Sequence, residues 1–439
     1  MKKNIIRYIA VLIITFVLVY LQTFTLYADD YDDWEEDTVE GRTIYATDYS
    51  SLEKAINSAR ENDTIILSRN ISTSKQLVLK KDVSIIVDFN KKVYRYTGSK
   101  EAIVIKNGVM KCDNINLKSK NYVFSVGSKG SLCIVNGKSS GYLKNNGNLE
   151  IMDGSFNTSG TKKSKKDELI QNTGYLYITD GQYINDKDNC VYSKSGEVVL
   201  EGGTYTGKAK CDENSNYATI CNRKNSDCKI IGDVNVEGEG NAILNEGTVR
   251  IEDGYYYSHE AGTIINEGDI SIIDSAVVSN DKNSVAMYNA GKCRLNGTNI
   301  KGQVYNDGGK ISIIYANIKS HHACLVNDQK GTITIKDGYY YSKNDLVLYN
   351  VKGAVTMAGG EMRASKNVIH NYPGATFKMT GGSIPRKSKY AAIYNMGNLY
   401  LYGGSIGYVG TWDCVINESG STCKMKKSKI GYYRHVGFK

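Results

Sequence analysis

The chain has 439 residues, 41% of them hydrophobic, with 44 Gly, 34 Tyr, 10 Cys and only 2 Pro. That is ample apolar material for a large core, and the shortage of proline leaves nearly every backbone N–H free to join a β-ladder. No Pro-rich or Ser-rich linker divides the chain, which argues against a string of ordinary domains, and its net charge of +9 is unevenly placed.

Residues 1–28 read as a signal peptide. Lys2, Lys3 and Arg7 precede an uncharged, largely apolar run over residues 9–21, and Ala28 is a small residue at the expected cleavage point. Residues 29–42 are expected to be an acidic, disordered lead-in, with eight acids and no base between Asp29 and Glu40. Setting aside those acids and the three cations before them leaves 52 bases against 38 acids. A body this basic is drawn to anionic glycopolymers and anionic cell surfaces, an attraction that salt weakens. Nucleic acid is not expected as a partner, because no recognisable binding motif is present. No later run is long and apolar enough to span a bilayer, so no integral membrane domain is expected after cleavage.

Residues 43–439 are expected to form one parallel β-helix. At its start, Ser50 and Glu53 have capping-box spacing, and Leu52, Ala55, Ile56 and Ala59 share one helical face. The spacing predicts a short capping helix near residues 51–60. Alternating strands follow, the first around Ile65, Leu77 and Ile85. Further on a repeat takes over. Ile243, Asn245, Gly247, Val249, Ile251, Asp253, Gly254 and Tyr256 match Ile393, Asn395, Gly397, Leu399, Leu401, Gly403, Gly404 and Ile406 in spacing. The asparagine recurs at Asn222, Asn245, Asn266, Asn289, Asn306, Asn327, Asn350, Asn371, Asn395 and Asn417, in steps of 17 to 24 residues. Pairs such as Val249 with Ile251 and Ile333 with Ile335 have the period of two of a half-buried strand, and the Asn, Asp and Gly between them are turn formers. One coil of about 22 residues has no room for a helix and cannot bury its own apolar face. Coils stacked at roughly 4.8 Å can, and about seventeen of them make a rod on the order of 80 Å long. An inward amide is satisfied by the same amide one coil above and below, so the asparagines are expected to form a structural ladder.

Residues 45–87, followed by repeats such as Lys378 to Ile384 and Tyr400 to Ile406 with their Thr-Gly-Gly-Ser and Tyr-Gly-Gly-Ser turns, resemble the pectate-lyase-like right-handed β-helix superfamily. Within it the likeness is to adhesin-like surface proteins of Gram-positive bacteria. The resemblance implies right-handedness and spans roughly residues 43–430. It implies no particular activity, since that superfamily mixes lyases, hydrolases and non-enzymatic adhesins.

Catalytic patterns of such folds are missing. His259, His321, His322, His370 and His435 are scattered, and none lies in a Gly-His-Gly. Asp153, Asp180, Asp253 and Asp337 each precede a glycine at the same turn and read as turn formers. No catalytic residue, cofactor or metal site is expected, and no Cys/His cluster has zinc spacing. Disulfides between neighbouring coils, such as Cys112 with Cys133 or among Cys211, Cys221 and Cys228, are left open by the sequence. The candidates for binding are the triplets at 255–257 and 339–341, four coils apart, of which Tyr255, Tyr257, Tyr339 and Tyr341 are the alternate members. A second candidate is a basic insertion holding Lys162, Lys163, Lys165 and Lys166. The excess of Tyr over Phe, 34 to 7, reads as a sign of outward rings. The expected function is that of a secreted or cell-surface, non-enzymatic β-helix that binds glycan or protein partners. The alternative is a polysaccharide lyase or hydrolase, which would need carboxylates and a basic residue converging in a groove on one wall.

Overall fold

The computed structural model describes residues 40–161, 168–211, 217–280, 285–385, 390–407, 414–430 and 433–435. The signal peptide, most of the acidic lead-in, and Lys162, Lys163, Lys165 and Lys166 lie outside the described residues. From Gly41 on, the described residues form a right-handed parallel β-solenoid of about 16 turns, close to 22 residues per coil. It has three walls. The first runs from Thr43–Ala46 through Thr248–Glu252 and Asp269–Ile273 to Thr422–Met425. The second runs from Ile71–Thr73 through Tyr255–Ser258 and Tyr339–Ser342 to Lys429–Ile430. The third runs from Leu77–Leu79 through Ile264–Asn266 to Tyr433–His435. Every rung pairs in parallel with its neighbours.

Alternation sets what faces inward. On the first wall Ile251, Ile272, Leu295, Ile313 and Ile335 succeed one another rung by rung, and all are fully buried. Burying each such side chain contributes about 1.5–3 kcal/mol. The second wall's inward column carries Phe156, Tyr183 and Tyr205, whose rings stack at 5.2 and 4.8 Å, and later Tyr256 and Tyr340. These four tyrosines are buried because the fold satisfies their hydroxyls. Each donates to the carbonyl of the turn residue three positions earlier: Tyr183 to Asp180 at 2.9 Å, Tyr205 to Gly202 at 3.2 Å, Tyr256 to Asp253 at 3.2 Å and Tyr340 to Asp337 at 3.0 Å. The excess of Tyr over Phe is therefore in part a core feature, contrary to its reading as a mark of outward rings. The aspartates of these turns accept from the next glycine, as Asp253 does from the Gly254 N–H at 2.7 Å with its own φ at +72°.

On the third wall the recurrent asparagines point inward, fully buried. From Asn222 to Asn417 each donates its amide to the carbonyl oxygen of the next, at 2.6–3.0 Å, without a break. The second amide hydrogen goes to the backbone, as from Asn245 to the Asp269 carbonyl at 3.1 Å. A shorter ladder joins Asn145 to Asn172 at 2.7 Å.

The helix at the amino-terminal end spans Tyr49–Asn57 and buries Leu52, Ala55 and Ile56. Its cap is Asp48, two residues ahead of Ser50. The Asp48 carboxylate accepts from the Ser51 N–H at 2.8 Å, and the Ser51 hydroxyl accepts from the Asp48 N–H at 3.1 Å. An ionised carboxylate is the stronger acceptor, and it leaves Glu53 to receive the Tyr49 hydroxyl at 2.8 Å. Below the helix the buried Asp63 carboxylate meets Arg42 at 2.5 Å.

The wall geometry also decides the first disulfide question. Cys112 pairs with Ile134 and faces inward, whereas Cys133 pairs with Lys111 and faces outward, so the two thiols lie on opposite faces of adjacent rungs. Cys112, Cys133, Cys190, Cys221, Cys228, Cys293 and Cys324 are free thiols.

Candidate functional site

The two tyrosine triplets lie on the second wall. Their middle members, Tyr256 and Tyr340, are core residues, and the alternate members face out. Between them run two outward columns. One reads Tyr255, Ala276, Asn299, Asn317, Tyr339, and the other Tyr257, Val278, Lys301, Lys319, Tyr341. Four rungs separate the triplets, about 19 Å. Small or flexible residues between two sets of rings make a shallow concavity of about 380 Å³, floored by Ala276, Val278 and Ile300 and closed at one end by Tyr341.

The rings at the two ends are held differently. Tyr255 stacks on Tyr257 at 6.2 Å, and Tyr257 meets the edge of His259 at 4.7 Å, whose Nε2 lies 2.7 Å from Glu237 Oε1. Tyr255 is 43% exposed and Tyr341 38% exposed, enough to offer a ring surface to a partner. In the centre the Asn317 amide donates to Asn299 Oδ1 at 3.1 Å. Lys301, Lys319 and Lys343 are exposed. Among the described residues none of the three makes an ion pair, and no acid stands in either column between the triplets. The panel is thus a cationic strip between aromatic ends.

The sequence points to the tyrosines but hides the lysines. Tyr257 and Tyr341 each stand nine residues before a ladder asparagine, so the triplets align by eye. Lys301 stands five residues before Asn306 and Lys319 eight before Asn327, because the corners of these coils differ in length. Only the register shows that the two lysines are neighbours on one column.

The third wall carries an outward column that sequence reasoning did not find. Tyr192, Cys221, Leu244, Ile265, Tyr288, Tyr305, Val326, Tyr349, His370 and Tyr394 succeed one another along it. Several of its rings are tied to acids: Tyr288 donates to Asp307, Tyr305 to Asp328 at 3.4 Å, Tyr349 to Asp345 at 3.0 Å and Tyr394 to Glu418. The bond to Asp307 comes first in pushing the Tyr288 hydroxyl up to about 12. Burial holds His370 below the usual imidazole range. The Tyr288 and Tyr305 rings lie parallel at 5.9 Å, so their faces are spent on each other. Lower on this wall a second concavity of about 380 Å³ is lined by Glu168, Asp188, Tyr192, Arg223, Glu246 and Glu267. Arg223 is engaged there, its guanidinium 5.7 Å from the Tyr192 ring centre and paired with Glu246. Its pKa is raised, chiefly by the hydrogen bond to Tyr192, which keeps it an acid and not a base.

Among the described residues no three His, Cys, Asp or Glu side chains converge as a metal cluster, and no helix is long and apolar enough to cross a membrane. No family model matches the chain, and no curated protein matches it. A solved structure described as "L. reuters 100-23 SRRP" aligns over 91% of this chain and 99% of its own, at 10% identity and a TM-score of 0.21. At that score the likeness carries no weight for fold or function. The fold stands on the ladders above, and neither comparison supports the expected resemblance to the pectate-lyase-like superfamily.

Proposed function

We propose that the chain is an exported, non-enzymatic β-helix that acts at the cell surface as an adhesin-like scaffold. It binds a glycan or protein partner through the second-wall panel between the tyrosine triplets. The observation that supports this most is the pair Lys301 and Lys319, on adjacent rungs, without an ion pair among the described residues and bracketed by exposed Tyr255 and Tyr341. Uncompensated ammonium groups favour an anionic partner, and flat rings at the ends favour one with planar apolar faces, which together suit an acidic glycopolymer. The basic insertion at residues 162–166 is proposed as a second point of attraction for the same partner.

Immobilised acidic and neutral polysaccharides probed with the chain lacking residues 1–28 test the reading. Retention on the acidic polymer is expected to fall with ionic strength, and to weaken about tenfold or more in Lys301→Glu/Lys319→Glu and in Tyr257→Ala/Tyr341→Ala. Binding unaffected by both pairs, or none to any glycan or cell surface, would remove the proposal.

A second reading, a polysaccharide lyase or hydrolase, draws on Glu168, Asp188, Glu246 and Glu267, which line the third-wall concavity together with Arg223. Its test is incubation with acidic polysaccharides and calcium, followed by unsaturated products and reducing ends. If neither rises over a broad panel, that reading goes.

A further inference from the structure

We propose that copies of this chain associate side by side, the second wall of one copy against the third wall of the next. The inference rests on two features that share one height on the rod. Lys301 and Lys319 are partners on adjacent rungs of the second wall. Asp307 and Asp328 are partners on adjacent rungs of the third wall. Lys301 and Asp307 belong to one coil, six residues apart around a corner, and Lys319 and Asp328 to the coil above.

Spacing along both walls is set by the same stacking of coils, roughly 4.8 Å per rung. Two parallel copies lying side by side with no axial offset therefore bring both lysines opposite both aspartates, with no mismatch to accumulate. Offset by one rung, only one pair can meet. The acidic side is prepared for this contact. Asp307 is fixed by the Tyr288 hydroxyl and Asp328 by its own Gln329 N–H at 2.7 Å and the Tyr305 hydroxyl, so little side-chain freedom is left to lose on pairing. A carboxylate with these bonds still has lone pairs for an ammonium. Among the described residues none of the four charges has an ion-pair partner within its own chain. The contact joins two different faces, so it is heterologous and extends either to a closed ring or to an open sheet of parallel rods. It would place the walls of neighbouring rods in competition with a glycan for the lysine strip, which makes assembly and ligand binding mutually opposed.

Sedimentation velocity on the chain lacking residues 1–28 tests the proposal. Association that rises with concentration at low ionic strength and disappears at high ionic strength is the expected result. Lys301→Glu/Lys319→Glu leaves both walls acidic, and Asp307→Lys/Asp328→Lys leaves both basic, so each alone is expected to associate at least about tenfold more weakly. Mixed together, the two variants regain complementary walls and are expected to associate again, which also shows that neither has failed to fold. Monomers at every concentration in low salt, association that persists in either variant alone, or a mixture that stays monomeric would each overturn the proposal. Asp307→Lys/Asp328→Lys leaves the glycan panel untouched. Loss of association with retained glycan binding in that variant separates the fate of this contact from that of the proposed function.

Discussion

Ser193 is the rung partner of Asn222 on the third wall, and it interrupts an otherwise continuous column of asparagines. Its hydroxyl accepts from Asn172 at 3.2 Å and bonds the Ser226 hydroxyl at 2.5 Å. Asn222 Oδ1, buried, is left with no partner among the described residues. From Asn245 to Asn417 each ladder oxygen accepts from the amide one coil earlier, whereas Asn222 follows the shorter Ser193 and has no such donor.

Ser193→Asn should join the two ladders into one. The new amide is expected to reach Asn222 Oδ1 and to raise stability by about 1 kcal/mol. In the opposite direction, Asn306→Ala removes the acceptor for Asn289 and the donor to Asn327, and should cost about 2–4 kcal/mol. Chemical denaturation of the three proteins compares the two. A Ser193→Asn chain less stable than the parent would mean that the gap is required by packing.

The buried tyrosines make a second prediction. Phe156 already occupies the same column as Tyr183 without a hydroxyl, so the ring alone fits. Tyr183→Phe should therefore cost only the hydrogen bond to the Asp180 carbonyl, about 1 kcal/mol, while Tyr183→Ala should cost about 3–5 kcal/mol through the cavity it opens. Tyr255→Phe, on the solvent side of the same wall, should be neutral. Thermal unfolding of the three variants ranks them.

Acid should loosen the amino-terminal end. The hydrogen bond from Arg42 holds the Asp63 carboxyl well below the usual carboxylate range, against the opposing effect of burial. A depressed carboxylate contributes stability that is full above its unfolded value, near ~3.9, and is lost as pH falls through its folded value. Asp63→Asn should be less stable than the parent at neutral pH and should lose less stability on going below about pH 4. Unfolding midpoints across that range report both effects. Parallel pH curves for the two proteins would show that the pair contributes nothing.

The thiols should be quiet in the native state. Burial pushes Cys190 and Cys228 up to about 12 and Cys133 up to about 11. Little thiolate is then present at neutral pH, and alkylation of these three should be slow until denaturant is added. Peptide mapping without reductant should find no bridge between Cys112 and Cys133. Finding one would require a rung to turn over.

Much of the fold could be read from the residues, and the reasons are physical. The Asn-x-Gly and Asp-Gly turns are tied to coil corners, so their recurrence reports the coil period, and alternation at Ile333 and Ile335 reports the buried face. The capping helix was legible from Leu52, Ala55 and Ile56, although its cap is Asp48 and not Ser50, because an ionised carboxylate is a stronger acceptor than a hydroxyl. The third wall was harder. Many of its strands are three residues long with one outward residue between two inward ones, as Ile265 lies between Ile264 and Asn266, so an apolar outward residue reads as core. The lysine strip was hidden for a different reason. It sits on coils of unequal corner length, where sequence offsets no longer map onto height along the rod.

Distance along the rod tests the stacking itself most directly. Arg250 and Lys378 stand on one outward column of the first wall, linked rung by rung through Ser271, Arg294, Ser312, Thr334 and Thr356. Six rungs separate them, about 29 Å. Spin labels at these two positions, with Cys133, Cys211 and Cys423 replaced by serine, should give one narrow distance distribution near that value, widened only by the label arms. A broad distribution, or a mean above roughly 45 Å, would contradict the in-register stack, since extended or separate units would not hold the six-rung spacing.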